Sequence, residues 1–228
     1  MLADRIAEVR DRIAVACVSA GRGVDSVQLV AVTKNHSREV VRNAIDAGLR
    51  VFGENRVQEA VAKYQGLPEG VVLHLIGRLQ SNKAKFIPGI FSWVESIDSV
   101  RTAETLSRRL SDSETTCSIL LQYNCSGEET KSGFTEPNEL LDAAEQIQGL
   151  PGISLRGLMT IGPFTEDRAR IAVAFAQTRV LYERVRVQLP SAAIDTLSMG
   201  MTDDLEIAIS EGSTEVRIGT AIFGSRQI

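Results

Sequence analysis

The chain has 228 residues, with 43% hydrophobic and 24% charged side chains and a formal net charge of −4. That length suits one large α/β domain of roughly 200–250 residues, and the composition allows a sizeable buried core. No stretch gathers enough Lys and Arg to follow a phosphate backbone, and no apolar run reaches the roughly 18–20 residues that cross a bilayer, so nucleic acid and membrane are not expected partners.

In chain order, residues 3–19 read as an amphipathic helix, charged throughout and unlike a signal peptide. From residue 27 onward, short β-rich runs alternate with helical patterns. Strands are expected at 27–33, 50–53, 71–77, 91–97, 117–124, 153–160, 193–199 and 214–220. Helical stretches fall at 37–48, 55–65, 99–110, 136–148 and 166–188, and a further helix is expected to begin near Asp203. Eight strands alternating with helices imply a single (β/α)₈ barrel, with residues 1–22 as an added N-terminal helix and 27–224 as the barrel. An open, doubly wound sheet is the competing arrangement. The three cysteines, Cys17, Cys117 and Cys125, form no CxxC pair, which suits a reducing compartment and a cytoplasmic protein.

In such a barrel, functional residues belong at the C-terminal ends of strands. Lys34 follows "LVAVT" directly and is the one lysine of five that ends a strongly apolar strand. An ordinary lysine is neutral in only about one molecule in 2,500 at pH 7, and partial burial raises that fraction, as a Schiff-base lysine requires. A snorkelling lysine at the barrel rim explains the position equally well. Ser198, Met199 and Gly200 follow the seventh strand, and Gly219 and Thr220 the eighth. Small residues beside a helix start suit an anion there. Arg217, inside the eighth strand, needs a partner because it cannot lose its charge. A barrel carboxylate such as Glu54 or Glu95 would serve, and so would a ligand.

Asn55 could cap the following helix or touch a ligand. His74 reads as a hydrogen-bonded core histidine and Cys125 as a buried structural thiol, and no metal-ligand spacing occurs. Glu128, Glu129 and Lys131 read as a solvated rim or a gate.

The motifs "LVAVTK", "FGENRVQE", "HLIGRLQSNK", "GEETKSGF", "GLMTIG", "LSMGMTDD" and "GSTEVRIGTAIFG" run in order from 29 to 224. Together they resemble the pyridoxal phosphate homeostasis protein family. The resemblance implies a fold-type III barrel like the cofactor domain of alanine racemase. It implies pyridoxal 5′-phosphate as the cofactor, held as a covalent aldimine on Lys34. Ser198, Gly200, Gly219 and Thr220 then look like phosphate ligands with Met199 beside them, Arg217 like the residue facing the pyridine nitrogen, and Asn55 like a pocket residue. Many relatives carry a second lysine two positions after the first, where this chain has His36, so transfer of the cofactor through a second amine is in doubt.

A cationic Arg217 at the ring nitrogen would weaken the ring as an electron sink. Racemases with this arrangement add a second base from a C-terminal domain, whereas this chain ends just past its eighth strand. Of the tyrosines, Tyr64 and Tyr182 are expected on the outer ring, leaving Tyr123 as the one with reach into the pocket. The expected function is therefore intracellular cofactor homeostasis by a monomer, with sequestration and delivery to apo-enzymes and no substantial turnover. The alternatives are a small racemase or lyase using Lys34 with Tyr123 or Cys125, and a phosphate-binding barrel without this cofactor.

Overall fold

The computed structural model describes residues 1–66, 68–128 and 130–224. Eight parallel strands close into a barrel in sequence order: β1 (Gln28–Val32), β2 (Val51–Glu54), β3 (Val72–Leu75), β4 (Trp93–Ile97), β5 (Cys117–Tyr123), β6 (Ile153–Thr160), β7 (Thr196–Ser198) and β8 (Glu215–Ile218). The pairing of β1 with β8, from Gln28↔Glu215 to Ala31↔Ile218, completes the ring and excludes the open doubly wound sheet.

The helices are α1 (Leu2–Ser19), α2 (Arg38–Asp46), α3 (Val57–Tyr64), α4 (Val100–Asp112), α5 (Pro137–Ile147), α6 (Arg168–Gln188), α7 (Leu205–Ser210) and α8 (Thr220–Phe223). Their starts follow local chemistry. Ser37, Ser99 and Asp167 cap α2, α4 and α6 by accepting main-chain N–H bonds, and Pro137 opens α5, where its missing N–H costs nothing. Between β3 and β4 the chain makes only a 3₁₀ turn, Ser81–Phe86.

Six of the strands are shorter than the β-rich runs suggested, whereas β2 and β6 keep their expected lengths. The eighth ends at Ile218 because Gly219 already caps α8, and the seventh is reduced to three residues. Side chains alternate between the two faces of each strand. One set, including Phe52, Leu73, Leu121, Leu158, Leu197 and Val216, packs with the helices in a continuous apolar layer. The other set points into the barrel, where Val30, Leu120 and Met159 share the lumen with His74, Glu95, Ser198, Glu215 and Arg217, all buried. A polar layer in the lumen is unusual for a barrel, whose interior is dominated by branched apolar residues. It lies directly below the site.

Candidate functional site

At the C-terminal end of the barrel is a cavity of about 400 Å³, lined by residues of seven βα loops and strand ends, among them Lys34, Asn55, Gly77, Gln122, Lys131, Met201, Arg217, Gly219 and Thr220. The expected residues Lys34, Asn55, Arg217, Gly219 and Thr220 meet here. Asn55 caps nothing: Arg56 is the N-cap residue of α3, and no side-chain cap bond forms. Three other expected residues stand back from the cavity. The Ser198 hydroxyl points into the lumen, Met199 is buried in the apolar layer, and Gly200 turns behind the wall. Met201, Thr202 and Asp203 line the cavity in their stead.

Arg217 explains the polar lumen. Its Nη1 donates to Ser198 Oγ at 2.6 Å and its Nη2 to the Thr160 carbonyl at 2.7 Å, while Glu95 Oε2 lies 3.8 Å away. The paired carboxylate is thus Glu95. Glu54, the other expected candidate, faces outward and binds Lys63 instead, at 2.7 Å. Ser198 donates to Glu95 Oε2 at 2.7 Å, and His74 Nδ1 lies 2.7 Å from Glu95 Oε1 and 3.7 Å from Glu215 Oε2.

Burial pushes the Glu95 carboxyl up, but the His74 hydrogen bond and the His74 and Arg217 charges outweigh it and hold it below the usual carboxylate range. Burial and the Glu95 charge push Glu215 up to about 8. His74, which burial alone would lower, is raised by Glu215 and Glu95. The ligand atoms of His74, Glu95 and Glu215 lie within 4.8 Å of one another, a spacing compatible with a metal ion. The 2.7 Å contact between His74 and Glu95 is a hydrogen bond with a proton between the atoms, and the nearby guanidinium repels a cation. His74 is the hydrogen-bonded core histidine expected, stacked on Trp93.

Tyr123 does not enter the cavity. Its neighbour Gln122 lines the wall, so alternation turns Tyr123 outward, where it packs against the helical layer. Cys125 lies among Thr160, the Ile161 carbonyl and Thr178, with its thiol raised by burial. Lys131 lines the cavity, but its ammonium is occupied by Glu128 (2.8 Å), Ser126 (3.3 Å) and the Gly162 carbonyl (2.8 Å). The Glu128–Lys131 pair is the partly solvated rim expected, and Glu129 lies outside the described residues. His36 packs against Phe223 of α8 in a tilted arrangement, with ring centroids 5.1 Å apart and planes at 41°.

Glycine makes two of the close approaches around the cavity. A Cβ on Gly219 would come within 3.3 Å of the Val32 carbonyl oxygen, and one on Gly77 within 2.2 Å of the Asn55 carbonyl oxygen. The first turns of α7 and α8 start beside the cavity, and the leading N–H groups of any helix lack intrahelical partners.

Residues 8–227 match the family described as alanine racemase, N-terminal domain. The pyridoxal phosphate homeostasis protein of Pasteurella multocida is 45% identical over 224 residues, covering 97% of this chain and 96% of that protein. This chain belongs to the pyridoxal phosphate homeostasis protein family. Among solved structures, PipY of Synechococcus elongatus PCC7942 with PLP bound is 37% identical, covers 98% of this chain and 100% of its own, and has a TM-score of 0.86. Alanine racemase of Clostridium difficile 630 shares the fold at 15% identity and a TM-score of 0.70, with just over half of that chain, 53%, spanned. Membership makes sense of motifs that carry no chemistry on their own. "FGENRVQE" supplies Glu54, Asn55 and Glu59, and "LSMGMTDD" supplies both Ser198 below the cavity and Asp203 on its wall.

Proposed function

We propose that this chain binds pyridoxal 5′-phosphate through Lys34 and serves cofactor homeostasis, holding and handing on the cofactor without substantial turnover. One observation carries the reading: the Lys34 side chain opens into the same cavity as Arg217, Gly219 and Thr220. The residues present fit the group. Lys34 offers an amine for the aldehyde, the Gly219–Thr220 turn offers a hydroxyl and helix-start N–H groups for the phosphate, and Arg217 offers a donor for an unprotonated ring nitrogen. Ser198 acts through Arg217, and Gly200 and Met199 shape the loop that brings Met201–Asp203 to the wall.

In its neutral form Lys34 Nζ would be the amine able to condense with the aldehyde, releasing one water. When bound, the cofactor supplies an electron sink, which a permanently charged arginine at the ring nitrogen weakens. Glu95 and Ser198 hold that arginine in place. A racemase needs a proton donor or acceptor on each face of the substrate carbon. Tyr123 turned outward and Lys131 engaged on three sides both favour binding over turnover. On this reading residues 1–228 act as one binding domain, a cytoplasmic monomer that exchanges its cargo with apo-enzymes. Among the described residues, no helix is long and apolar enough to cross a membrane.

The test is borohydride reduction of protein incubated with the cofactor, followed by peptide mass spectrometry. The adduct is expected on Lys34, and the visible absorbance band is expected to vanish in Lys34→Ala. Chiral analysis of alanine and serine incubated with the loaded protein should show no racemisation above free cofactor. A colourless protein with unmodified Lys34 would refute binding, and efficient racemisation would refute the homeostatic role.

A further inference from the structure

Behind the barrel wall, on the face opposite the cavity, a buried lysine ties together the two loops that carry Lys34 and Asn55. Lys63 Nζ donates to the Thr33 carbonyl at 2.8 Å, to Glu54 Oε1 at 2.7 Å and to Glu59 Oε1 at 3.0 Å. An ammonium has three protons, so each has a partner. Thr33 and Glu54 immediately precede Lys34 and Asn55 in sequence, and they bond to each other through Thr33 Oγ1 and Glu54 Oε1 at 2.6 Å. Tyr64 Oη closes the group, 2.6 Å from Thr33 Oγ1. On the other side of Lys34, the Asn35 N–H donates to Glu59 Oε1 at 2.7 Å.

Asn35 has φ +64°, a conformation unfavourable for residues with a Cβ, and the His36 N–H closes the turn onto the Thr33 carbonyl at 3.0 Å. The main chain of Lys34 is therefore gripped one residue before and one residue after it. Both grips converge on a side chain that never reaches the cavity.

A lysine with four rotatable side-chain bonds condenses well only when its backbone origin is fixed, because attack requires approach to one carbon from one direction. Side-chain alternation supplies the geometry: Val32 and Lys34 face the lumen, whereas Thr33 faces α3. Resting on the reading that Lys34 binds the cofactor aldehyde, we propose that Lys63 is the positioning residue for Lys34, with Glu59 as its arm to Asn35 and Glu54 as its arm to β2. It touches no ligand and acts by fixing the turn from which Lys34 projects. The bond it governs is the C=N bond formed when the Nζ lone pair adds to the carbonyl carbon and the oxygen leaves as one water.

Two probes separate positioning from general structural support. Pyridoxal 5′-phosphate carries the aldehyde, whereas pyridoxine 5′-phosphate carries an alcohol there and cannot condense. Both share ring and phosphate. In Lys63→Met we expect at least a tenfold loss of affinity and a matching fall in the rate of attachment for pyridoxal 5′-phosphate, with pyridoxine 5′-phosphate bound within twofold of wild type. Equal losses for both probes, or no loss for either, overturn the proposal. Should Lys63→Met fail to fold, Glu59→Ala decides. Its partly exposed side chain is dispensable for the core, and we expect at least a threefold loss confined to the aldehyde probe, any other pattern counting against the proposal. Wild-type protein that binds neither probe would defeat the functional reading itself, a result distinct from any of these.

Discussion

Glu215 is enclosed in the lumen, one of its oxygens has no hydrogen-bond partner, and it lies beside an ionised Glu95. Its folded pKa of about 8 lies well above the ordinary carboxylate value, so the fold retains a proton that the unfolded chain releases in mild acid. The stability this proton confers is full below the unfolded value, declines as pH rises, and is spent above about 8. His74 is raised too and acts with the same sign, whereas Glu95 is lowered and favours the fold above its unfolded pKa. The unfolding free energy from urea titrations should therefore fall between pH 6 and pH 9 by an amount on the order of a few kcal/mol. Glu215→Gln, which resembles the protonated carboxyl and cannot ionise, should lose less and be at least as stable as wild type at pH 9. A wild-type midpoint that rises over this range contradicts the assignment. At the residue scale, Lys34 and Arg217 were legible because a cation at the end of, or within, an apolar run is anomalous. Glu95 and His74 gave no comparable signal, since the contact that joins them to Arg217 forms only when β3, β4 and β8 face one another across the lumen. Lys63 was illegible for the same reason: at helical spacing it reads as a solvated side chain.

Each strand must meet two neighbours, and β6 shows what that requires. Gly157 has φ +149°, and a Cβ there would sit 1.8 Å from the Thr196 carbonyl oxygen of β7. The strand lies beside a register irregularity in its pairing with β5, between Ile119 and Leu120. Gly157→Ala should destabilise the protein by at least about 2 kcal/mol, since both the backbone and the neighbouring strand would have to move. Chemical denaturation reads this directly, and a wild-type midpoint would show that the β6–β7 contact can relax. Period and punctuation were enough to find all eight strands and the six longer helices. They failed where an element is shortened by its neighbours, as in β7, or where the loop after a strand winds immediately into a helix, as at Gly219. The β-rich run continues through 220, and Gly219 alone does not say where within it the strand stops.

The added helix α1 is coupled to the site through the last third of the barrel. It packs on α7 and α8, burying Ile6, Val9, Ile13 and Cys17. Arg12 donates to Glu206 at 2.9 Å and to the Thr202 carbonyl at 2.8 Å, and Thr202 lines the cavity. Arg22 binds the Ile209 and Ser213 carbonyls on the far side of α7. Arg12→Ala should cost stability only about 1 kcal/mol or less, because the ion pair is partly exposed. It should also speed cofactor release two- to tenfold by freeing the Met201–Asp203 wall. Stopped-flow transfer of the cofactor to an apo-enzyme measures this, and an unchanged rate would separate α1 from the site.

Taken alone, the order of residues determined the alternation of strand and helix, a parallel α/β class, and the cations at the end of β1 and within β8, because each is written in local periodicity or in a polar residue out of place. Closure of β8 onto β1, the choice of Glu95 over Glu54 for Arg217, the outward turn of Tyr123 and the grip of Lys63 on the Lys34 turn were decided by tertiary structure. All four depend on which face a side chain takes and on what lies across a shared space. Groups far apart along the chain acquire their interaction only when the ring of strands sets them within a few ångströms in a medium that water no longer screens.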